Sequence, residues 1–372
     1  MSKHLPRFLL IEPYYGGSHR VFLHGLCEHL DVSFKLITLP ARKWKMRMQL
    51  AAPWFAEGII EALEQGEVFD GIFCSSFLDV AVLRSLLSQA GHHLPLAVYF
   101  HENQFAYPVQ GGPNDAFQFT AINFNTALCA DQVAFNSRYN MDTFLDGVHG
   151  YLKKASDVDV VHLVDVIRDK SVVLYPGMDY SFLDTDPRCK NDDLADKVPV
   201  IVWNHRWEHD KGPEVFFKSL EELDREGVDF QVMVLGERFQ RVSKVFSEAE
   251  KTLGHRIIHF GYAETKQEYG ALLDKADIVV STARHEFFGI AVLEAVRAGC
   301  RPLVPDRLSY RELFPKDFRY KPGGLTSGLR SLLHQPEPFT VELSNQLTQC
   351  FSWPVVASQY QNWLLKLSGD RV

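Results

Sequence analysis

The chain has 372 residues, 46% of them hydrophobic and 23% charged, an ordinary composition for a soluble globular protein and enough length for two domains with separate cores. No stretch approaches the roughly eighteen uninterrupted apolar residues of a membrane span, and the apolar run in MSKHLPRFLLIEPYYGG is too short for a signal peptide, so the reading is a cytoplasmic protein with no membrane expected. A net charge of −8 argues against a general nucleic-acid binder, yet residues 1–55 hold eight Lys/Arg against three Asp/Glu, so a local basic patch can exist in an acidic protein.

In chain order, Arg7 to Glu12 reads as a buried strand, Pro13 to Gly17 as a glycine turn, and the residues after it as a helix capped by Ser18. Gly16 and Gly17 would let the backbone approach a ligand at the helix start, although the pattern is not G-x-G-x-x-G and two glycines in a turn carry little information alone. Alternation continues with a strand at Ser33–Thr38, a helix near Ala51–Gln65, a strand at Phe69–Cys74, a helix near Leu78–Gln89 and a strand at Leu96–Phe100. Later strands are expected at Asp131–Phe135 and Val172–Tyr175, which makes a parallel sheet wrapped by helices; residues 151–170 show no assignable pattern.

Two polar stretches interrupt this series. Arg42, Lys43, Trp44, Lys45, Met46, Arg47 and Met48 interleave cations with aromatic and adaptable apolar surface. They read either as a solvated basic loop or as a patch for phosphates and stacked bases. His101, Glu102, Asn103 and Gln104 follow an apolar strand, at the carboxyl end where open α/β sheets gather their ligands, although His101 alone would be at home as a turn histidine.

Pro176 to Val198 is polar and aperiodic and is the expected linker, so the domains are placed at 1–180 and 199–345, with 181–198 between them. A second alternating series follows: strands at Pro199–Trp203, Phe230–Leu235, Arg256–Phe260 and Asp277–Ser281, and helices from Pro213, at Phe239–Leu253, near Lys266–Lys275 and from Ile290. The tail, 346–372, reads as an amphipathic helix whose aromatic residues serve packing. Six cysteines without a C-x-x-C pair read as reduced thiols, mostly core. Of fifteen histidines, His92 and His93 are adjacent and His205 and His209 lack further clustered ligands, so no metal is expected.

Chemistry concentrates in the second series. Arg206 and Lys211 lie five apart across a turn, and Lys211-Gly212-Pro213 opens a helix. Two cations beside a helix start can clamp a diphosphate and neutralise the charge that builds as a nucleoside diphosphate leaves, or they are simply an exposed basic turn. Farther on, Ser281 to Gly299 passes from strand to loop to helix, with Glu286 in the loop and Glu294 eight residues later in the helix. N–H groups of Phe287, Phe288, Gly289 and Ile290 at that helix start can meet a phosphate, and the carboxylates can accept hydrogen bonds from sugar hydroxyls or merely complement the helix dipole.

The run EFFGIAVLE resembles the E-x7-E motif of family 4 glycosyltransferases of the GT-B fold, and RWEHDKG resembles their R-x4-K-G motif. The resemblance implies two doubly wound Rossmann-like domains facing across a cleft, with a C-terminal helix crossing back to the first. It also implies a metal-independent retaining transfer without a cofactor. Arg206 and Lys211 would hold the donor diphosphate, Glu286 the sugar, Glu294 the ribose, and Gly16 and Gly17 would lie near the phosphates.

A closer likeness is carried by IEPYYGGSHR, TLPARKWKMR, YFHENQFAYP and AFNSRYNMDTFL, in this order through the first 150 residues. These stretches are similar to the tRNA-queuosine α-mannosyltransferases. That likeness implies GDP-mannose as donor and the cyclopentenediol of queuosine, in the anticodon of an aspartate tRNA, as acceptor. Within it, His101 is expected to orient the reacting hydroxyl or sugar, and Glu102, Asn103 and Gln104 with Arg42, Lys43, Trp44, Lys45 and Arg47 to meet the acceptor. A family 4 enzyme with another sugar nucleotide and a lipid, polysaccharide or small-molecule acceptor is the rival, with Ala41 to Phe55 as a candidate membrane-surface helix. A non-catalytic sugar-nucleotide or RNA-binding protein is the alternative of another class.

Overall fold

The computed structural model describes residues 5–107, 113–154, 156–183, 197–237, 244–335 and 338–369. The chain divides into two compact units, Met1–Gly177 with Trp353–Val372, and Met178–Ser352, rather than at 180 and 345.

The first unit runs β1 (Arg7–Tyr15), α1 (Gly17–His29), β2 (Ser33–Pro40), α2 (Trp44–Glu64), β3 (Gly71–Ser75), α3 (Val80–Gln89) and β4 (Leu96–Phe100). It continues through α4 (Pro113–Cys129), β5 (Gln132–Phe135), α5 (Arg138–Leu152), α6 (Leu163–Asp169) and β6 (Ser171–Val173). Its strands form one sheet in the order β2-β1-β3-β4-β5-β6, each named pair parallel. Period-two alternation assigns the two faces. Leu9, Ile11, Ile72, Cys74, Val98, Phe100, Val133 and Phe135 point into one core with α2 to α6. Phe8, Leu10, Phe73, Ala97, Tyr99 and Ala134 point into the other.

The second unit runs β7 (Val200–Asn204), α7 (Pro213–Arg225), β8 (Gln231–Leu235), α8 (Lys244–Thr252), β9 (Ile257–Gly261), α9 (Lys266–Lys275) and β10 (Ile278–Val280). Then come α10 (Ile290–Arg297), β11 (Arg301–Pro305), α11 (Tyr310–Leu313), β12 (Arg319–Tyr320), α12 (Leu325–His334) and α13 (Val341–Thr348). Its parallel sheet has the order β12-β11-β10-β7-β8-β9. Ile201, Trp203, Val232, Val234, Ile278 and Val280 fill the core beneath α7, α8 and α12.

The C-terminal helix α14 (Trp353–Leu367) belongs to the first unit, where Trp353, Val356, Tyr360, Trp363 and Leu364 complete the core beside α1. Trp353 lies against two glycines: a Cβ on Gly25 or Gly177 would come within 2.2 Å or 2.1 Å of its indole. The Tyr360 hydroxyl donates to Tyr175 O at 2.9 Å and approaches Tyr99 Oη at 3.1 Å, so this buried end keeps its polar groups paired.

Several expectations need correction. Ser18 is not the cap of α1; Gly16 takes that position without a side-chain hydrogen bond, and Ser18 is already helical. Helix α2 starts at Trp44 rather than near Ala51, because Lys43 adopts a left-handed conformation (φ 53°) and turns the chain directly into it. The unassigned 151–170 contains α6, only seven residues long and held by buried Val164 and Ile167. Of the described cysteines, Cys74 and Cys300 are buried, Cys129 is half-buried and Cys27 and Cys350 are exposed, so these thiols are not mostly core; Cys189 lies outside the described residues. The start of the helix expected at Phe239–Leu253 and residues 184–196 of the expected linker lie outside the described residues. Gly177, Met178 and Tyr180, at the start of that linker, are buried, and Met178 N donates to Phe351 O at 2.8 Å.

Candidate active site

Each unit gathers polar side chains at the carboxyl edge of its sheet. In the second unit, the loop after β7 and the loop after β10 are tied together by Thr282, whose hydroxyl receives the Trp203 indole N–H at 3.0 Å and donates to Lys211 O at 2.8 Å. Gly212 (φ 65°) passes so close that a Cβ there would meet Thr282 O at 2.5 Å. This approach delivers Lys211, buried, with Nζ 2.9 Å from His285 O, 3.2 Å from Glu286 Oε2 and 3.4 Å from Asp210 Oδ2. Lys211 and Glu286, 75 residues apart in sequence, therefore form one pair.

Burial works against both charges, and the pair overcomes it. Glu286 and Asp210 hold the Lys211 ammonium above its ordinary range, and Lys211 holds the Glu286 carboxyl below its own. His205, behind them, is buried, and burial with the Lys211 charge lowers its imidazole to about 4, so it is neutral near pH 7. Arg206 is half-exposed and pairs with Glu208 at 3.3 Å, near enough for its charge to act on Lys211 and His205. Phe287 and Phe288 bury their rings against His285 and Phe351, so what they could offer a ligand comes from the backbone. Gly289 (φ 114°) caps α10, and Ile290 is its first residue.

Glu294 sits in α10 and accepts from the Tyr269 hydroxyl at 3.1 Å. Tyr269 in turn receives Asn204 Nδ2 at 2.9 Å, and the same amide reaches Ala291 O at 2.6 Å, so the last residue of β7 fixes both α9 and the start of α10. Burial raises the Glu294 carboxyl to about 7, a rise that the hydrogen bond from Tyr269 and nearby Lys266 only partly offset. A carboxyl poised near neutrality beside a helix start suits a ligand hydroxyl that it can bind as acceptor.

In the first unit, Asn136 Nδ2 donates to His101 O at 2.7 Å and Asn140 Nδ2 to Phe100 O at 2.9 Å, so the start of α5 pins the turn after β4. Asn103 is fully buried. Its amide donates to Asn140 and Thr143 and accepts from Phe105 N and Ala106 N, so it builds the turn and cannot meet an acceptor as expected. Gln104 is buried as well, held through its backbone by Asn123, whereas His101 and Glu102 remain partly accessible. Sequence reading missed Glu12 and His19. The Glu12 carboxylate, without exposure, accepts from Tyr14 N at 2.8 Å, Ser75 Oγ at 2.9 Å and His19 Nδ1 at 3.2 Å. A carboxylate directly after the apolar run FLLI was the signal that could have found Glu12. Gly16 lies against Ala41, where a Cβ would be 2.6 Å away, while Gly17 (φ 50°) faces open space.

Arg42, Lys43 and Lys45 are exposed at the start of α2. Arg47 is half-buried and donates to Pro40 O at 3.4 Å, and Trp44 packs against Phe77, Phe119 and Tyr107. Met48 is fully buried, contrary to its expected role as adaptable surface. The face of α2 expected to lie on a membrane is occupied, since Ala51, Ala52, Phe55, Ala56 and Ile59 are core. Its outer side instead exposes Met46, Leu50 and Trp54. No described helix is long and apolar enough to cross a membrane.

Comparison with known proteins identifies both units. Residues 7–178 match the model for the tRNA-queuosine alpha-mannosyltransferase N-terminal domain, and residues 188–341 that for glycosyl transferases group 1. The tRNA-queuosine alpha-mannosyltransferase of Drosophila melanogaster is 36% identical over 345 residues, 91% of this chain and 90% of that protein. A GDP-mannose-dependent alpha-(1-6)-phosphatidylinositol dimannoside mannosyltransferase of Mycobacterium tuberculosis is 24% identical over 163 residues, 43% of this chain and 42% of its own. Among solved structures, Anabaena HepE in complex with UDP superposes with TM-score 0.68 at 15% identity, covering 97% of this chain and 100% of that one. Sucrose-phosphate synthase from Thermosynechococcus elongatus gives 0.71 at 13%, covering 97% and 99%. These two share the GT-B fold with it. With both family models in chain order and one relative aligned along nearly its whole length, this chain is a glycosyltransferase and belongs to the tRNA-queuosine alpha-mannosyltransferase family.

Proposed function

We propose that the chain moves mannose from GDP-mannose to the cyclopentenediol of queuosine in the anticodon of tRNA(Asp), in the cytoplasm, with retention at the sugar carbon. The observation that carries the donor half is the buried Lys211–Glu286 pair at the head of α10. Lys211 stabilises the diphosphate as it departs, with Arg206 swinging from Glu208 to add a second cation. Glu286 accepts from hydroxyls of the sugar, the backbone of Phe287 to Ile290 faces phosphate, and Glu294 holds the ribose. In the first unit, Gly16 and Gly17 offer backbone that a phosphate can approach. His101 orients the reacting hydroxyl, with Glu102 beside it.

For the acceptor, the support is electrostatic. Arg42, Lys43 and Lys45 are exposed at the positive end of α2, where each cation is unfavourable to the helix by about 0.3–1 kcal/mol. Polyanion binding would recover that cost. Because Trp44 is packed on three rings, base stacking falls instead to exposed Trp54, on the same helix. The experiment is nucleoside mass analysis after incubating purified protein with GDP-mannose, UDP-mannose or GDP-glucose and tRNA containing or lacking queuosine. A hexose added only from GDP-mannose and only to queuosine supports the reading. Addition without queuosine, or from UDP-sugars alone, overturns it.

A further inference from the structure

We propose that His19 is a positioning residue for the transfer reaction, held by the Glu12 carboxylate so that its ring fixes the orientation of His101. The assignment rests on the reading of His101 as the group that meets the reacting hydroxyl.

The geometry comes from four separate elements. Glu12 is near the end of β1, Ser75 ends β3, His101 follows β4 and His19 lies in the first turn of α1. Glu12 spends one oxygen on Tyr14 N and Ser75 Oγ, and the other on His19 Nδ1. That contact fixes the proton of the His19 ring on Nδ1. The ring then lies between Phe77, stacked at 5.4 Å, and His101, at 4.0 Å and 34°. Phe22 and Tyr99 meet the His101 ring edge-on at 4.9 Å and 4.7 Å. His101 is thus walled by three rings, with its carbonyl held by Asn136, while remaining partly accessible. A turn histidine needs no such housing; a residue that must present one nitrogen in one direction does.

Charge supports the same arrangement. Burial lowers His101 well below its ordinary range, and the His19 charge adds to this, so the accessible ring is the neutral one. His19 stays charged more readily than usual because Glu12 and Glu102, the two carboxylates facing it, outweigh its own burial. The Cys74 thiol beside Glu12 is pushed up by burial and stays neutral. Glu12, His19 and His101 could offer ligand atoms within 4.8 Å of one another to a cation. However, Glu12 already accepts from three donors, one of them His19 Nδ1 itself, so that carboxylate and that nitrogen are spent on each other.

The test measures steady-state transfer from GDP-mannose to queuosine-containing tRNA by the full chain carrying His101→Ala, His19→Phe, Glu12→Gln, and His19→Phe with His101→Ala together. His19→Phe keeps an aromatic ring against Phe77, and Glu12→Gln keeps acceptors for Tyr14 and Ser75, so one of them folds even where the other does not. Each is expected to lower kcat roughly ten- to a hundred-fold with the donor KM unchanged. The double variant should fall no further than His101→Ala alone, because His19 acts only through that ring. Losses that multiply, as from an independent structural defect, overturn the proposal. So does a wild-type kcat in a folded His19→Phe or Glu12→Gln protein, or activity abolished by chelation and restored by a divalent cation. Absence of transfer by the wild type refutes the reading of function itself; transfer that is indifferent to His19 refutes only this assignment.

Discussion

At the scale of single residues, Lys211, Glu286 and Glu294 carry opposing demands of burial and charge, and each demand gives a test of the donor half. Lys211→Ala leaves Glu286 buried beside no ammonium, and we expect transfer to drop about a hundred- to a thousand-fold, the loss of about 2.7–4 kcal/mol typical of a missing oxyanion partner. Single-turnover rates at saturating donor measure it. Glu294 behaves oppositely. Its carboxyl is raised from 4.5 to about 7 by burial, so its contribution to stability is full below pH 4.5 and is lost as pH rises through about 7. Melting temperature without donor should therefore fall across that window, and Glu294→Gln should flatten the fall. If the ionised form holds the ribose, donor affinity rises over the same window, and calorimetric titration at pH 6 and pH 8 would detect it. A pH-independent affinity in the wild type would remove Glu294 from the donor contacts.

At the scale of elements, α2 buries one side and exposes cations at its start. Its inner face, Met48 to Ala62, is core, and its exposed N-terminal cations are free to meet a polyanion. Replacing Arg42, Lys43 or Lys45 singly by Ala should reduce the slope of log K against log salt by about one unit for tRNA binding. Arg47, half-buried and bonded to Pro40 O, should change melting temperature more than salt slope. Slopes unchanged from the wild type in all four variants would mean that this end of α2 does not touch RNA. The HENQ turn is a contrasting case. Asn103 and Asn140 form its frame, so Asn103→Ala leaves buried donors and acceptors unpaired and should cost about 1–3 kcal/mol of stability by denaturant titration.

At the scale of the whole molecule, the first unit is closed by the last helix in the chain. Trp353 fits only because Gly25 and Gly177 lack side chains, so Gly25→Ala should destabilise by about 1–3 kcal/mol through overpacking. Ending the chain at Ser352 would uncover Phe8, Leu10, Phe22 and Tyr99, and we expect an aggregating product, read by size-exclusion chromatography. The alternation of apolar strands with helical segments was enough to reveal two parallel α/β units, because burial on both sheet faces writes continuous apolar runs into the sequence. The spacings of Arg206 to Lys211 and of Glu286 to Glu294 likewise made these residues stand out as candidates, since each pair lies within one short stretch of chain. Other features were not legible. Lys211 meets Glu286 across 75 residues, Glu12 meets Ser75 across 63, and Asn103 is consumed by Asn140 across 37. The sequence alone determined most of the strands and helices that alternate through the two sheets and the motifs they carry, because those depend on neighbours in the chain. Only the tertiary structure decided which polar groups are spent inside the fold and which remain for a ligand, because that depends on partners brought together by sheet order and helix packing.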